Sequence, residues 1–193
     1  MKDIYILDQN FDNIDFTLQP LDKGEYENCT FRNCNFEYAD LSGFNFNDCE
    51  FTGCNLSMIK LVSTAFRDVI FKECKMLGLQ FNECNEFGLS FKFDGCALNN
   101  SVFYKTSLKK TVFKNSKLIE VDWAECDLSN AFFMNCDLSG AVFENTNLEK
   151  ADLRTSFNYT IDPVFNRLKK AKFSLSEVHG LLYKLDIEID KNS

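Results

Sequence analysis

Nine cysteines in 193 residues are the first chemistry the sequence offers. Cys29/Cys34 and Cys49/Cys54 form close pairs, followed by Cys74, Cys84, Cys96, Cys126 and Cys136. Thiols at such spacings could ligate zinc or build a disulfide framework. The remaining ligand set is poor, because His179 is the only histidine and no second imidazole can complete a metal site. An odd number of thiols fits a reducing compartment better than a disulfide scaffold. No GxGxxG, GxxxxGK[ST] or HExxH stretch occurs, and no nucleophile signature surrounds His179. Carboxylates such as Asp122, Asp127, Asp137 and Asp152 could serve as acid and base only if the fold made them converge. The expectation is a chain without catalytic residues, cofactor or metal.

What must position these side chains is a step of five. In "ECDLSNAFFMNCDLSGAVFENTNLEKADL", Leu128, Phe133, Leu138, Phe143, Leu148 and Leu153 recur at that interval. Two residues before each stands something small: Cys126, Ala131, Cys136, Ala141, Thr146 and Ala151. Neither a helix nor a simple strand has this period. The count runs from Phe31 to Phe81 and again from Leu98 to Leu153, with Tyr26 and Phe93 as the openers of the two sets. The sets are out of phase by two residues, so an irregular loop is expected near 82–95.

The five-residue step makes sense in a solenoid, where each unit is one side of a coil and stacked coils pile their central residues into an apolar column. An interior filled with Phe and Leu leaves room only for a small partner on most sides. All nine cysteines fall at that small position, Cys84 if the first phase continues one unit beyond Phe81, and there a free thiol acts as a small hydrophobe. Repeats of twenty suit four units per coil, although alternation of Leu and Phe every ten residues would also fit two.

Charge is uneven. Residues 1–91 hold 15 acids and 7 bases, a net of -8, and residues 92–193 hold 14 of each. Such a balance argues against an electrostatic nucleic-acid binder. The acidic half could compete for a cationic DNA-binding groove, whereas Lys105, Lys109, Lys110, Lys114 and Lys117 set the second half apart. The opening "MKDIYILDQNFDNIDF" has no signal-like apolar run, and no window approaches the roughly 18 apolar residues of a membrane helix. A cytoplasmic protein without membrane contact is expected.

After Phe157 the count lapses. Asp162 before Pro163 reads as a helix start, and Ser174 with Glu177 as a capping box. Leu175, Val178, Leu181, Leu182 and Leu185 form one apolar stripe, and "LDIEI" alternates like a short strand. The organisation expected is a lead-in over 1–23, a repeat region over 24–157, and a helical cap over 158–193.

The units "CTFRN", "CNFEY", "ADLSG", "CDLSN", "TNLEK" and "ADLRT" resemble those of the pentapeptide-repeat family. The resemblance implies an all-β solenoid, a right-handed quadrilateral parallel β-helix with a short α-helical C-terminal cap and dimerisation segment. About two dozen units would make about six coils and a rod of roughly 30 Å. The ending "FNYTIDPVFNRLKKAKFSLSEVHGLLYKLDIEID" and the interrupted coil resemble those of the quinolone-resistance (Qnr) and albicidin-resistance group. That resemblance implies a DNA-mimicking homodimer that engages DNA gyrase or topoisomerase IV and protects it from poisons. The positions it implies are Asp40, Asp48, Glu50, Asp68 and Glu73 facing the enzyme, the loop residues Glu86, Phe87, Gly88 and Leu89, and the dimer residues Val178, Leu181, Leu182 and Leu185. A scaffolding solenoid with another protein partner is the alternative.

Overall fold

The computed structural model describes residues 4–185, 187, 188 and 190. Among the described residues, eleven short strands pair only in parallel. The first sheet stacks β1 (Ile4–Leu7), β3 (Gly24–Glu27), β5 (Asn45–Asn47) and β7 (Ala65–Arg67). A longer sheet runs β2 (Asn10–Asp12), β4 (Thr30–Arg32), β6 (Glu50–Thr52), β8 (Val69–Lys72), β9 (Phe91–Asp94), β10 (Val112–Lys114) and β11 (Phe132–Met134). Two further sides touch their neighbours through single bridges such as Asn35↔Asn55 and Asp40↔Lys60. Residues 45, 50, 55 and 60 therefore each face a partner twenty away, which fixes four units per coil.

The interior explains the register. On the second side the rings of Phe11, Phe31, Phe51, Phe71, Phe93, Phe113 and Phe133 stack with centroids 4.6 to 5.4 Å apart. A second pile holds Phe81, Phe103 and Trp123, with centroids 4.4 and 4.7 Å apart. Burying each ring is worth about 1.5–3 kcal/mol, and a one-residue slip would turn the whole column outward.

The small inward position has a second requirement besides volume. Its side chain donates to the carbonyl of the central residue in the coil before: Cys54 Sγ to Phe31 O at 3.3 Å, Thr64 Oγ1 to Leu41 O at 2.7 Å, Thr146 Oγ1 to Trp123 O at 2.9 Å. A small side chain with a donor fits, so Cys, Thr and Ser recur there. All nine cysteines are free and buried, as the packing reading expects.

The phase break is a coil of 22 residues. Phe71 pairs with Phe93, whereas neighbouring rungs are twenty apart. The extra residues lie in the 85–90 loop, which occupies the first side and ends the four-stranded sheet at β7. The loop removes one central residue from the core. Phe91, at the small position, fills the space and meets the rings of Phe66, Phe81, Phe93 and Phe103.

Both ends depart from expectation. Within the expected lead-in over 1–23, coiling has already begun by Ile4, since β1 and β2 pair in register with β3 and β4. The expected helical cap is absent: the described residues contain no α-helix, only the 3-10 turns Phe81–Glu83 and Val178–Leu181. Coiling instead continues through the bridges Asn147↔Arg167 and Asp152↔Lys172. Asp162 does what an N-cap does, its Oδ1 accepting from Val164 N at 2.8 Å, but within a turn. The paired coils from β2 to Lys172 rise eight steps, roughly 38 Å at about 4.8 Å each, rather than the 30 Å expected. The strand expected at 185–189 includes residues 186 and 189, which lie outside the described residues. No described helix is long and apolar enough to cross a membrane.

Candidate functional site

Burial pushes the Cys49 and Cys126 thiols up to about 12 and Cys136 to about 11, so they remain protonated and inert. No group of three or more His, Cys, Asp or Glu among the described residues could hold a metal. His179 is exposed, with its Nδ1 3.1 Å from Ser176 O. What can act is the outer surface, where each unit presents three residues, the last of them at a corner in the left-handed conformation.

The candidate acids fall on different parts of this surface. Asp48 and Asp68 stand one above the other at the corner between the first and second sides, with φ of 51° each. Glu50 is beside them on β6, but Lys72 Nζ sits 2.7 Å from its carboxylate and lowers its pKa. Glu73 lies at the next corner, with φ of 52°. Asp40 is on the fourth side, across the coil from β6; hydrogen bonds from Ser42 hold its carboxyl low, and Lys60 is 3.9 Å away. The structure thus brings together Asp48, Glu50 and Asp68, with Glu73 one corner further and Asp40 apart.

The loop belongs to the same region. Ser90 Oγ donates to Asp68 Oδ1 at 2.9 Å, and the Arg67 guanidinium lies 6.0 Å from the Phe87 ring centroid. Asn85 Oδ1 accepts from Phe87 N at 2.9 Å, which folds the loop tip. Leu89 packs on the core, Glu86 and Gly88 are exposed, and Phe87 projects with 81% of its surface free.

The C-terminal candidates divide. Gly180 O accepts from Ile161 N at 3.0 Å, and a Cβ at Gly180 would lie 2.0 Å from Tyr159 O. Leu181 packs against the core from this turn. Asn158 N donates to Glu177 Oε2, and Lys184 pairs with Asp162 at 2.9 Å. Val178 and Leu182 are half-buried, and Leu185 is exposed. The described part of the segment thus packs on the preceding coil through Leu181 and the Ile161–Gly180 hydrogen bond.

The first-side corner also aligns Lys110, noted in the sequence as part of a basic set, with residues the sequence reading missed. Below the loop it carries Asp8 and Asn28 besides Asp48 and Asp68; above it come Lys110, Asn130, Lys150 and Lys170. The spacing of twenty was the available signal, and the two extra loop residues break it between Asp68 and Lys110.

The chain matches the pentapeptide repeat region family over residues 24–92 and 89–160. No curated protein matches it. Among solved structures it is similar to QnrB1, a plasmid-mediated fluoroquinolone resistance protein, at 23% identity, covering 97% of this chain and 98% of that one with a TM-score of 0.49. It is also similar to HetL, a pentapeptide repeat protein involved in heterocyst differentiation regulation in the cyanobacterium Nostoc, at 14% identity, covering 90% and 89% with a TM-score of 0.49.

Proposed function

Because the chain belongs to the pentapeptide-repeat family, we propose that it acts by docking rather than catalysis, as a DNA mimic that occupies the cationic duplex-binding surface of DNA gyrase or topoisomerase IV in the cytoplasm. Protection of that enzyme from quinolones or related poisons is the activity this reading assigns.

The supporting observation is charge density. Residues 1–91 carry the net -8, and the coils they build up to β9 rise about 19 Å, or one net charge per roughly 2.4 Å. Duplex DNA carries one per about 1.7 Å of its axis. The acidic half therefore approaches DNA to within a factor of about 1.5, and the neutral half does not. Asp48 and Asp68 would face the enzyme, with Phe87 projecting beside them.

The test titrates purified protein into gyrase supercoiling and drug-stabilised cleavage assays. Relief of drug-trapped cleavage is expected, weakened at least fivefold by Asp48→Asn with Asp68→Asn. Inhibition without relief would leave mimicry and remove protection; no effect up to tens of micromolar would sink both. A scaffolding role with another protein partner is the second reading, favoured by the neutral second half with its paired acids, such as Asp94 with Lys114 at 2.7 Å. A gyrase-free pull-down yielding one saturable partner would support it.

A further inference from the structure

The repeat lapses at Pro163, and the lapse leaves a groove. Pro163 stands twenty residues after Phe143, where the next ring of the Phe103–Trp123–Phe143 column would be, yet it is exposed. A groove of about 310 Å³ opens there, with Phe143 at its base and Glu144 at its rim. Its other walls are Asp162, Phe165, Tyr183 and Lys184. Asp162 is only 7% exposed, whereas Phe165 and Tyr183 keep 59% and 50% of their surface free. One carboxylate oxygen is fixed, Oδ1 accepting from Val164 N at 2.8 Å, and the other, Oδ2, receives the Lys184 ammonium at 2.9 Å. That ammonium also lies 5.4 Å from the Phe165 ring centroid and 5.7 Å from that of Tyr183, within the roughly 6 Å at which an aromatic face attracts a cation. A buried carboxylate and two rings around one positive charge make a cation site, and the chain fills it with its own side chain.

The fit is loose. The Lys184 side chain remains 55% exposed, and its compact, strongly hydrated ammonium leaves much of both rings uncovered. A guanidinium is planar and weakly hydrated, so it lies flat on an aromatic face while its N–H groups reach a carboxylate. We infer that this groove is a recognition site for an arginine side chain presented by a protein partner, and that Lys184 is its built-in competitor. The lysine sits in a turn tied by Leu182 N donating to His179 O and Leu185 N donating to Leu182 O, each at 2.9 Å. A group tethered in this way competes at an effective concentration of about millimolar. A single free arginine is therefore held off, whereas one presented with further contacts displaces the lysine. Glu144, exposed at the rim, favours a partner of positive charge. The site lies in the upper coils and does not depend on what the acidic coils bind.

Titration of the full chain with N-acetyl-arginine amide at 50 mM NaCl tests it, read by the amide resonance of Val164, which donates to Asp162. Lys184→Ala should bind the probe at least fivefold more tightly than the parent, because the competitor is gone. N-acetyl-citrulline amide, of the same shape without the charge, should bind Lys184→Ala at least tenfold more weakly. Adding Phe165→Ser to Lys184→Ala should weaken arginine binding threefold or more; Phe165 is an exposed wall, so the fold is kept, and unchanged circular dichroism verifies it. No shift of Val164 in Lys184→Ala at 100 mM probe would overturn the inference. So would equal affinity of parent and Lys184→Ala, which would make the lysine a bystander, or equal affinity for citrulline, which would make the groove merely apolar. Free L-arginine binding at least threefold more tightly than the capped form would make this a small-molecule site and remove the protein partner.

Discussion

Below the loop Phe51 stacks on Phe31 and Phe71, and above it Phe113 stacks on Phe93 and Phe133, with spacings of 4.6 to 5.3 Å in both places. Outside, the same corner carries aspartates in the lower coils and lysines in the upper ones. The two halves thus have one interior and two surfaces. An inward side chain is constrained by ring stacking and a donor to the preceding coil, whereas an outward one need only tolerate a turn. Charge can therefore vary along the rod at little cost to the fold, and recognition is written there.

Four experiments probe the shared interior and the differing surfaces. Phe51→Ala and Phe113→Ala should each cost about 3–5 kcal/mol by urea unfolding, since a cavity opens in the same ring column. A loss under about 1 kcal/mol in one half alone would mean the interiors are not equivalent. Phe91→Ala tests the junction. Repeat periodicity alone would expect a small residue there to be welcome, but the structure expects a similar loss of about 3–5 kcal/mol, because Phe91 fills the space the loop vacates.

Leu181→Glu should cost about 1.5–3 kcal/mol and lower the melting temperature without changing oligomeric state, because Leu181 closes its own coil. Dissociation of an oligomer without loss of melting temperature would instead make this turn an interface. The smallest effect is expected at the surface pair Glu50–Lys72, where Lys72→Met should cost only about 0.2–1 kcal/mol. The Lys72 ammonium depresses the Glu50 pKa, so the contribution is present above the ordinary glutamate value of 4.5 and fades as pH falls through the lower folded value. Melting curves of parent and variant should differ at pH 7 and converge toward pH 3.

The repeat, its inward residues and the structural role of the cysteines were legible because each is a strictly periodic demand. The phase shift between Phe81 and Leu98 also announced the loop near 82–95. At the termini the same rule was present but masked. Phe11, Phe16 and Leu21 already step by five, yet Gln9, Ile14 and Gln19 hold the usual small positions. Leu168 and Phe173 resume the count after Asn158 and Pro163 interrupt it, while Tyr159 and Ile161 supply the buried groups instead. Of the candidate site, Asp48 and Asp68 were found as acids, but their alignment with lysines above the loop was not.

The stacked coil follows from the five-residue repeat alone, since a side chain that recurs every five residues can be buried only when the next coil covers it. Three other matters, which local signals leave equivalent, are fixed by long-range packing. Asp162 offers its carboxylate to Val164 N in a turn as it would at a helix start, and packing on the preceding coils selects the turn. Four units per coil follow from bridges twenty residues apart, which neither unit specifies alone. The acidic and basic runs share one corner only because Phe71 pairs with Phe93 across a coil of 22 residues, a register set by ring stacking far from the charges it aligns.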